Sequence, residues 1–234
     1  MYKIFLSVTL FLSLIMINNH SLSEDINQKI KNFILNNPQV IIESLNNFEE
    51  KKEDERRIEN NKKVENFKES IFKSNFELYE GKSSAKKVIV EFFDYNCSYC
   101  KRVHNDLKKI LSKSDDLKII YKNFPILSED SVKLAKYAII LSEIDNKKFI
   151  DFHNFVISNK GQLKDKDLDK LFMKLNVVRD EVDKKLNDSS VLKILKNDIQ
   201  LAQNLGLRGT PAFIINNEII FGYINYEDML SKLN

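Results

Sequence analysis

The two cysteines of the chain, Cys97 and Cys100, are separated by only two residues. At this spacing in a helix, both sulfurs lie on one side of the first turn and can close a small disulfide ring. The apolar run Val88–Phe93 predicts a strand before them, and the residues after them predict a helix. The N-terminus of that helix favours a thiolate at Cys97. The pattern therefore predicts a redox-active pair in which Cys97 is the attacking sulfur.

A structural crosslink is the competing interpretation of the same pair. The stabilisation that a disulfide provides grows with the length of the loop it closes, and this pair closes almost no loop. A crosslink between Cys97 and Cys100 would therefore stabilise the fold little. A chemical role is favoured over a structural one.

Metal binding is an alternative function for these residues, because Cys97, Cys100 and His104 form a C-x2-C-x3-H pattern. Soft thiolates suit Cu(I) and zinc. A structural zinc site takes four ligands, and after the first residues of the chain His153 is the one further histidine. We therefore predict no structural metal site and no cofactor, and a two-thiolate Cu(I) site stays an alternative.

The first residues of the chain predict a secretory signal peptide over residues 1–23. One lysine precedes the apolar stretch Ile4–Ile17, and the small residues Ser21 and Ser23 follow it. The apolar stretch is shorter than the roughly 20 residues that span a bilayer, which argues against the alternative of an uncleaved anchor. We expect cleavage near Ser23 and export to a bacterial periplasm, an oxidising compartment.

The composition bounds the remaining function classes. The formal net charge is +3, and no basic block stands apart from acidic residues. This balance gives no electrostatic reason to predict nucleic-acid binding. The hydrophobic fraction of 43% is sufficient for a real core. We therefore predict one domain of ordinary size with extensions.

Residues 24–72 predict a helical N-terminal arm. Apolar residues recur at helical spacing over Ile26–Ile34 and Ile41–Phe48, and again over Val64–Ile71. Interleaved charges between the last two stripes predict a solvated helix. The apolar stripes must be buried against the rest of the chain or against the arm of another subunit. We expect a homo-oligomer through this arm, with folding back on the chain as the alternative.

The rest of the chain predicts one sheet with a helical insertion. The predicted strands cover 76–79, 87–93, 118–124, 212–215 and 218–221, and the predicted helices cover 98–112, about 129–205 in pieces, and 226–233. The first helix has the length of a crossover between parallel strands. Neither strand cluster makes a stable sheet alone. The fold class is therefore α/β, with a helical insertion at about 128–205.

A second motif, Gly209-Thr210-Pro211-Ala212-Phe213, precedes the fourth strand. Proline is poorly suited to the start of a strand unless its missing N–H faces an open site. A cis Thr210-Pro211 bond would turn the backbone of Thr210 outward, where it could pair with an extended substrate chain. An ordinary trans proline in a loop is the alternative.

The run Phe92–Lys101 with its two cysteines, the helical insertion and the motif Gly209–Phe213 together resemble the DsbA family of thioredoxin-fold thiol–disulfide oxidoreductases. The resemblance covers about residues 76–234. It implies a thioredoxin-like fold for a domain over residues 73–234. The family's activity is thiol–disulfide exchange, in which a thiolate attacks a disulfide and a second thiol resolves the mixed disulfide.

The resemblance also implies roles for particular residues. Cys97 would be the nucleophile, Cys100 the resolving thiol, and Thr210-Pro211 the cis-proline element facing the disulfide. Glu91 and Lys122 match a charged pair that the family buries beneath the active site. Two buried charges must pair, and such a pair could accept or return the proton of Cys100. The alternative is that both charges lie in water at sheet edges.

The arm resembles the N-terminal region of ScsC-type members, which are associated with oligomerisation and with disulfide shuffling or copper tolerance. The partners implied are reduced or misoxidised exported proteins and a redox partner that resets the cysteines. The dipeptide Ser98-Tyr99 departs from the family's Pro-His type and lacks an imidazole beside Cys97. The competing functions are a Cu(I)-binding or copper-tolerance protein that uses the same thiols, and a non-redox holdase.

Overall fold

The computed structural model describes residues 25–73, 76–159, 161 and 163–233. The predicted signal peptide, residues 1–23, lies outside the described residues. The chain divides into two compact units, Met1–Arg56 and Arg57–Asn234. Within the described ranges, no helix is both long enough and apolar enough to cross a membrane.

Two helices make up the described part of the first unit. Helix α1 covers residues 25–36, and helix α2, Gln39–Asn66, begins in this unit and ends in the second. The Asn37 side chain donates to the Phe33 carbonyl at 2.8 Å and satisfies a group at the end of α1. The apolar stripes of this unit lie in solvent. Their exposed residues are Ile26, Ile30, Phe33, Leu35, Val40, Ile41, Ile42, Leu45 and Phe48.

A five-stranded sheet with the order β1-β3-β2-β4-β5 forms the centre of the second unit. The strands are β1, Leu78–Gly81; β2, Lys87–Phe93; β3, Leu117–Asn123; β4, Ala212–Ile215; and β5, Glu218–Phe221. Strands β2 and β3 are parallel, and the other neighbouring strands are antiparallel. A helix connects the parallel pair, which confirms the predicted strand–helix–strand unit.

The helices of the second unit follow the predicted order, and the long helical stretch consists of separate helices. After α2 they are α3, Lys68–Phe72; α4, Ser98–Ser112; α5, Glu129–Ile144; α6, Asn146–Ser158; α7, Asp165–Lys174; α8, Arg179–Lys184; α9, Ser189–Asn204; and α10, Tyr226–Leu233. Side-chain caps mark two of the boundaries. The Ser128 hydroxyl accepts the Ser131 N–H at 3.1 Å, and the Asp145 carboxylate accepts the Lys147 N–H at 2.9 Å. One sheet interrupted by a helical insertion is thus confirmed.

Each face of the sheet has its own hydrophobic core, because successive side chains of a strand point to opposite faces. Ile89 and Phe93 of β2 pack in the cluster that contains α4, α5, α6 and α10. Val90 and Phe92 pack in a second cluster with the end of α9. The buried residues of α4 recur every three or four positions, so one stripe of this helix covers the sheet.

The last turns of α2 and the short helix α3 belong to the second core. Val64 and Ile71 are fully buried in the same cluster as Val90 and Phe92. The apolar stripe Val64–Ile71 therefore packs against the rest of the chain. The compact second unit begins at Arg57, earlier than residue 73, where the sequence predicts the domain to start.

Candidate active site

The end of β2 and the start of α4 hold the two cysteines. After β2, the chain turns so that the Cys97 N–H donates to the Asp94 carbonyl at 3.0 Å. Cys97 has an extended backbone, with φ −74° and ψ 120°, and is the N-cap residue of α4. The first N–H groups of a helix lack partners within the helix. The turn therefore directs the Cys97 sulfur towards a natural anion site.

The two thiols are free and differ in access to solvent. Cys97 is 7% exposed, whereas Cys100, one turn further along α4, is 0% exposed and lies in the core between the helix and the sheet. An incoming sulfur can therefore approach Cys97 far more readily than Cys100. The more accessible sulfur is the one for which the sequence predicts the attack.

The Thr210-Pro211 segment lies against Cys97, although 113 residues separate Cys97 from Thr210 along the chain. The peptide bond between Thr210 and Pro211 is cis, as the resemblance implies. The Cys97 sulfur lies 3.2 Å from the Thr210 carbonyl oxygen, and it can donate a hydrogen bond to that oxygen only when it is protonated. The Pro211 carbonyl accepts the Gly222 N–H at 2.9 Å, which ties this segment to the region after β5.

Hydrogen bonds at the start of α4 lower the pKa of Cys97 to about 5. The largest contribution is a hydrogen bond from the Cys100 thiol. Partial burial opposes the shift, and the Thr210 side chain and the backbone N–H groups of Cys100 and Tyr99 add to it. The pKa of Cys100 is raised, first by burial and then by its bond to Cys97 and the charge of Glu91. At neutral pH, Cys97 is therefore a thiolate and Cys100 a thiol.

Glu91 lies on the same sheet face as the cysteines. In β2 it lies two residues after Ile89 and two before Phe93, and residues at this spacing share a face. The side chains of Ile89 and Phe93 are in the cluster that contains Cys97 and Cys100. Its side chain is buried, and burial, followed by the charge of Cys97, raises its pKa to about 8. A carboxyl with this pKa can both accept and return a proton near neutral pH.

Lys122 lies on the opposite face, and the predicted pairing with Glu91 is wrong. In the parallel register, Glu91 is opposite Tyr121, and Lys122 is opposite Phe92. Because residues opposite each other share a face, the two charged side chains point away from each other. Lys122 is buried, as predicted, but it pairs with Asp198 of α9, with Nζ and Oδ1 3.6 Å apart.

The histidines of the alternative metal pattern are buried next to each other. The rings of His104 and His153 have centroids 5.5 Å apart, and His153 Nδ1 lies 3.2 Å from the Tyr95 hydroxyl. Burial lowers the pKa of His104 to about 4. Among the residues that the structure describes, no group of three or more His, Cys, Asp or Glu side chains is placed to hold a metal ion.

The sequence motifs did not identify two acidic residues of this region. Asp198 lies on the apolar face of α9, between the buried residues Leu195 and Leu201. An acid within such a stripe signals a buried partner, but the stripe does not identify Lys122 as that partner. Asp94 directly follows β2 and is buried with its carboxylate bonded to backbone N–H groups. A short acidic residue after a strand is also typical of an ordinary turn.

Comparisons with known proteins find similarity to DSBA-like thioredoxin domains. The family model for the DSBA-like thioredoxin domain matches residues 88–234. The thiol-disulfide exchange protein alpha-DsbA2 from Wolbachia pipientis has 27% sequence identity and a TM-score of 0.69, over 76% of this chain and 96% of that chain. Proteus mirabilis ScsC in a transitional conformation has 27% identity and a TM-score of 0.67, over 91% of this chain and 95% of that one.

The curated relatives are more distant. Disulfide bond formation protein D of Bacillus subtilis is 24% identical over 163 residues, which are 64% of this chain and 72% of that protein. The Na(+)/H(+) antiporter NhaA 1 of Salinispora arenicola is 24% identical over 149 residues, or 63% of this chain. The match spans 22% of the antiporter's length.

The thiolate at Cys97 predicts a specific pH profile for alkylation of the reduced protein. We expect the rate with iodoacetamide to rise with pH and level off above a midpoint near pH 5, because the thiolate is the reactive form. Cys100→Ala removes the largest stabilising hydrogen bond and should move the midpoint to higher pH. A wild-type midpoint near the ordinary thiol value would contradict this account of the site.

Proposed function

The chain belongs to the family of DSBA-like thioredoxin domains, and on that premise we propose that it is an exported enzyme that forms or shuffles disulfides in client proteins through Cys97 and Cys100. Its fold is thioredoxin-like with an inserted helical domain. The observation that carries the proposal is the position of the Cys97 sulfur, at the start of α4 and 3.2 Å from the Thr210 carbonyl oxygen.

The proposed chemistry is reversible exchange between two sulfur pairs. In the oxidising direction, a client thiolate attacks Cys97 Sγ of the Cys97–Cys100 disulfide, and Cys100 leaves as a thiolate that takes up a proton. A second client thiolate then attacks the client's own sulfur in the mixed disulfide, and Cys97 leaves as a thiolate. The client loses two electrons and the enzyme gains them. Shuffling begins from the dithiol, when Cys97 attacks a wrongly formed client disulfide.

The stability of the Cys97 thiolate supports this chemistry in both directions. A low pKa makes Cys97 a good leaving group when the client disulfide forms. The same low pKa keeps it deprotonated for attack on a wrongly formed disulfide. The dipeptide Ser98-Tyr99 contributes no imidazole, so the stabilisation comes from Cys100, Thr210 and the backbone.

Glu91 is the proposed proton acceptor and donor for Cys100. In the dithiol state, the charge of Cys97 helps to keep Glu91 protonated. When Cys97 enters a mixed disulfide, that charge disappears, and the carboxylate forms more readily. The carboxylate then takes the proton of Cys100, whose thiolate attacks Cys97 Sγ and releases the client thiolate. This route uses Glu91 without Lys122, since Lys122 lies on the other face of the sheet.

Replacement of the Glu91 carboxyl should slow the step in which Cys100 acts. We expect Glu91→Gln to lower the rate of mixed-disulfide resolution by about 100-fold, the lower range for loss of a general acid or base. The alkylation rate of Cys97 should remain close to that of the wild type. Acid quenching and mass spectrometry, after mixing reduced protein with glutathione disulfide, measure the mixed disulfide directly.

The matched control removes the charged pair from the opposite face. Lys122→Met combined with Asp198→Leu deletes both buried charges, so neither is left without a partner. This double variant should resolve the mixed disulfide at the wild-type rate. Equal slowing in both variants would show that the loss of buried charge, and not the proton of Cys100, controls the step.

A cysteine replacement tests the proposed activity as a whole. Cys97→Ser should abolish both insulin reduction and the refolding of a scrambled disulfide-bonded substrate, because the attacking sulfur is gone. Cys100→Ser should instead accumulate mixed disulfides at Cys97, because the resolving thiol is missing. Retained refolding activity in Cys97→Ser would contradict the exchange mechanism and favour the non-redox holdase.

The N-terminal unit is the proposed site of self-association, which would suit a shuffling enzyme that holds several active sites together. The support is its exposed apolar surface, which includes Phe33, Leu45 and Phe48, all more than half exposed. Apolar residues at this density on a helical surface are typical of a protein interface. Export and a separate redox partner that resets the cysteines complete the proposal.

Charge placed on the apolar stripe should dissociate the proposed oligomer. We expect Leu45→Glu with Phe48→Glu to lower the molar mass to that of one chain, because burying two carboxylates in an interface is costly. Asn46→Glu with Asn47→Glu adds the same charge at neighbouring positions and serves as the control. Light scattering distinguishes the cases, and a wild-type protein that is already monomeric would contradict the proposal.

A further inference from the structure

Asp94 is a buried acid that the exchange chemistry described above leaves without a role. It lies three residues before Cys97 and is 1% exposed. Its Oδ1 accepts the Asn96 N–H at 2.8 Å. Its Oδ2 accepts the N–H groups of Ile126 and Leu127 at 2.9 and 3.0 Å. One carboxylate thus receives three backbone donors from two loops that are far apart along the chain.

The backbone of Asp94 contacts both cysteines. Its carbonyl oxygen accepts the Cys97 N–H at 3.0 Å and closes the turn that leads into α4. A hydrogen bond from its backbone to the Cys100 sulfur favours the thiolate of that residue. The Asp94 side chain therefore anchors a peptide segment whose own polar groups contact both reactive residues.

A carboxylate suits this position better than an amide does. Its two oxygens provide acceptors on both sides, and all three neighbouring groups are N–H donors. An asparagine would turn its NH2 group towards at least one of those donors and lose that hydrogen bond. Three hydrogen bonds to backbone N–H groups also offset the cost of burying the charge.

A second contact joins the same two loops. The Asn96 side chain donates to the hydroxyls of Ser128 and Ser131 at 3.2 and 2.9 Å. Ser128 is the N-cap of α5, the first helix of the insertion. The turn before Cys97 is thus attached to the loop that leads into the insertion through two polar residues, Asp94 and Asn96, which are separated by Tyr95.

We propose that Asp94 is a positioning residue for thiol–disulfide exchange, which fixes the turn before Cys97 against the loop that contains Ile126 and Leu127. With the turn fixed, the first N–H groups of α4 stay directed at the Cys97 sulfur, and the Asp94 backbone stays at Cys100. The biological use of this role rests on the proposed function. The pKa of Cys97 can nevertheless be measured without any client protein.

The test is the pH profile of Cys97 alkylation in Asp94→Asn. Loss of a nearby negative charge would by itself make the thiolate easier to form and lower the pKa of Cys97. A loosened turn has the opposite effect, because it weakens the hydrogen bonds to the thiolate. We expect the apparent pKa to rise by about one unit, so that alkylation at pH 4 slows about tenfold. The reduction potential against glutathione should become more reducing.

Two further variants separate geometry from charge and from general stability. Asp94→Glu keeps the charge but displaces the carboxylate by one methylene. It should raise the pKa of Cys97, as Asp94→Asn does. Asp116→Asn alters a carboxylate that accepts the Lys86 N–H at 3.1 Å, just before β3 begins. It should leave the alkylation profile unchanged.

Several outcomes would overturn the proposal. A folded Asp94→Asn protein whose Cys97 pKa is unchanged or lower assigns Asp94 a purely structural role. If neither Asp94 variant folds, native-state hydrogen exchange of the wild type provides the test. The amides of Asn96, Ile126 and Leu127 should then be protected and exchange as one group. Rapid exchange of the Ile126 and Leu127 amides would contradict their hydrogen bonds to the Asp94 carboxylate. A wild type without exchange activity would refute the proposed function and still allow the alkylation comparison.

Discussion

The structure of the site depends on one interaction, the stabilisation of a Cys97 thiolate by hydrogen-bond donors at the start of α4. A helix start offers free N–H groups only if the preceding residue leaves the helical conformation, and Cys97 does so at the N-cap. The turn from Asp94, the buried thiol of Cys100 and the side chain of Thr210 all act on the same sulfur. The sheet holds these groups in place, because β2 leads into α4 and β4 follows Pro211 directly.

The two faces of the sheet have different chemical environments. On the face of α4, Glu91 lies beside an apolar core, and burial raises its pKa to about 8. On the opposite face, Lys122 and Asp198 pair with each other in a core that includes the end of α2. A shift of one residue in the register of β2 would exchange the faces and remove Glu91 from the cysteines.

The helical N-terminal region also has two parts with different environments. Val64 and Ile71 are fully buried and contribute to the core of the second unit. The apolar stripes before Arg57 are exposed within the chain. This division means that the two parts of α2 serve different purposes, one in the stability of the second unit and one in the proposed association of subunits.

Local sequence patterns were sufficient to predict the features that lie within a short stretch of the chain. The spacing of Cys97 and Cys100, the alternation in β2 and the periodicity of α4 are each contained in a short stretch, and the strands and helices follow them closely. The cis bond before Pro211 and its position opposite Cys97 were implied by the resemblance to the DsbA family, because spacing alone leaves a trans proline open. The pairing of charged groups depends instead on how distant segments pack together. Lys122 and Asp198 are far apart along the chain, and the face of each strand depends on register, so periodicity could not reveal that Lys122 pairs with Asp198 and not with Glu91. The contacts of Asp94 with Ile126 and Leu127 were decided in the same way, because backbone N–H groups carry no residue-specific signal.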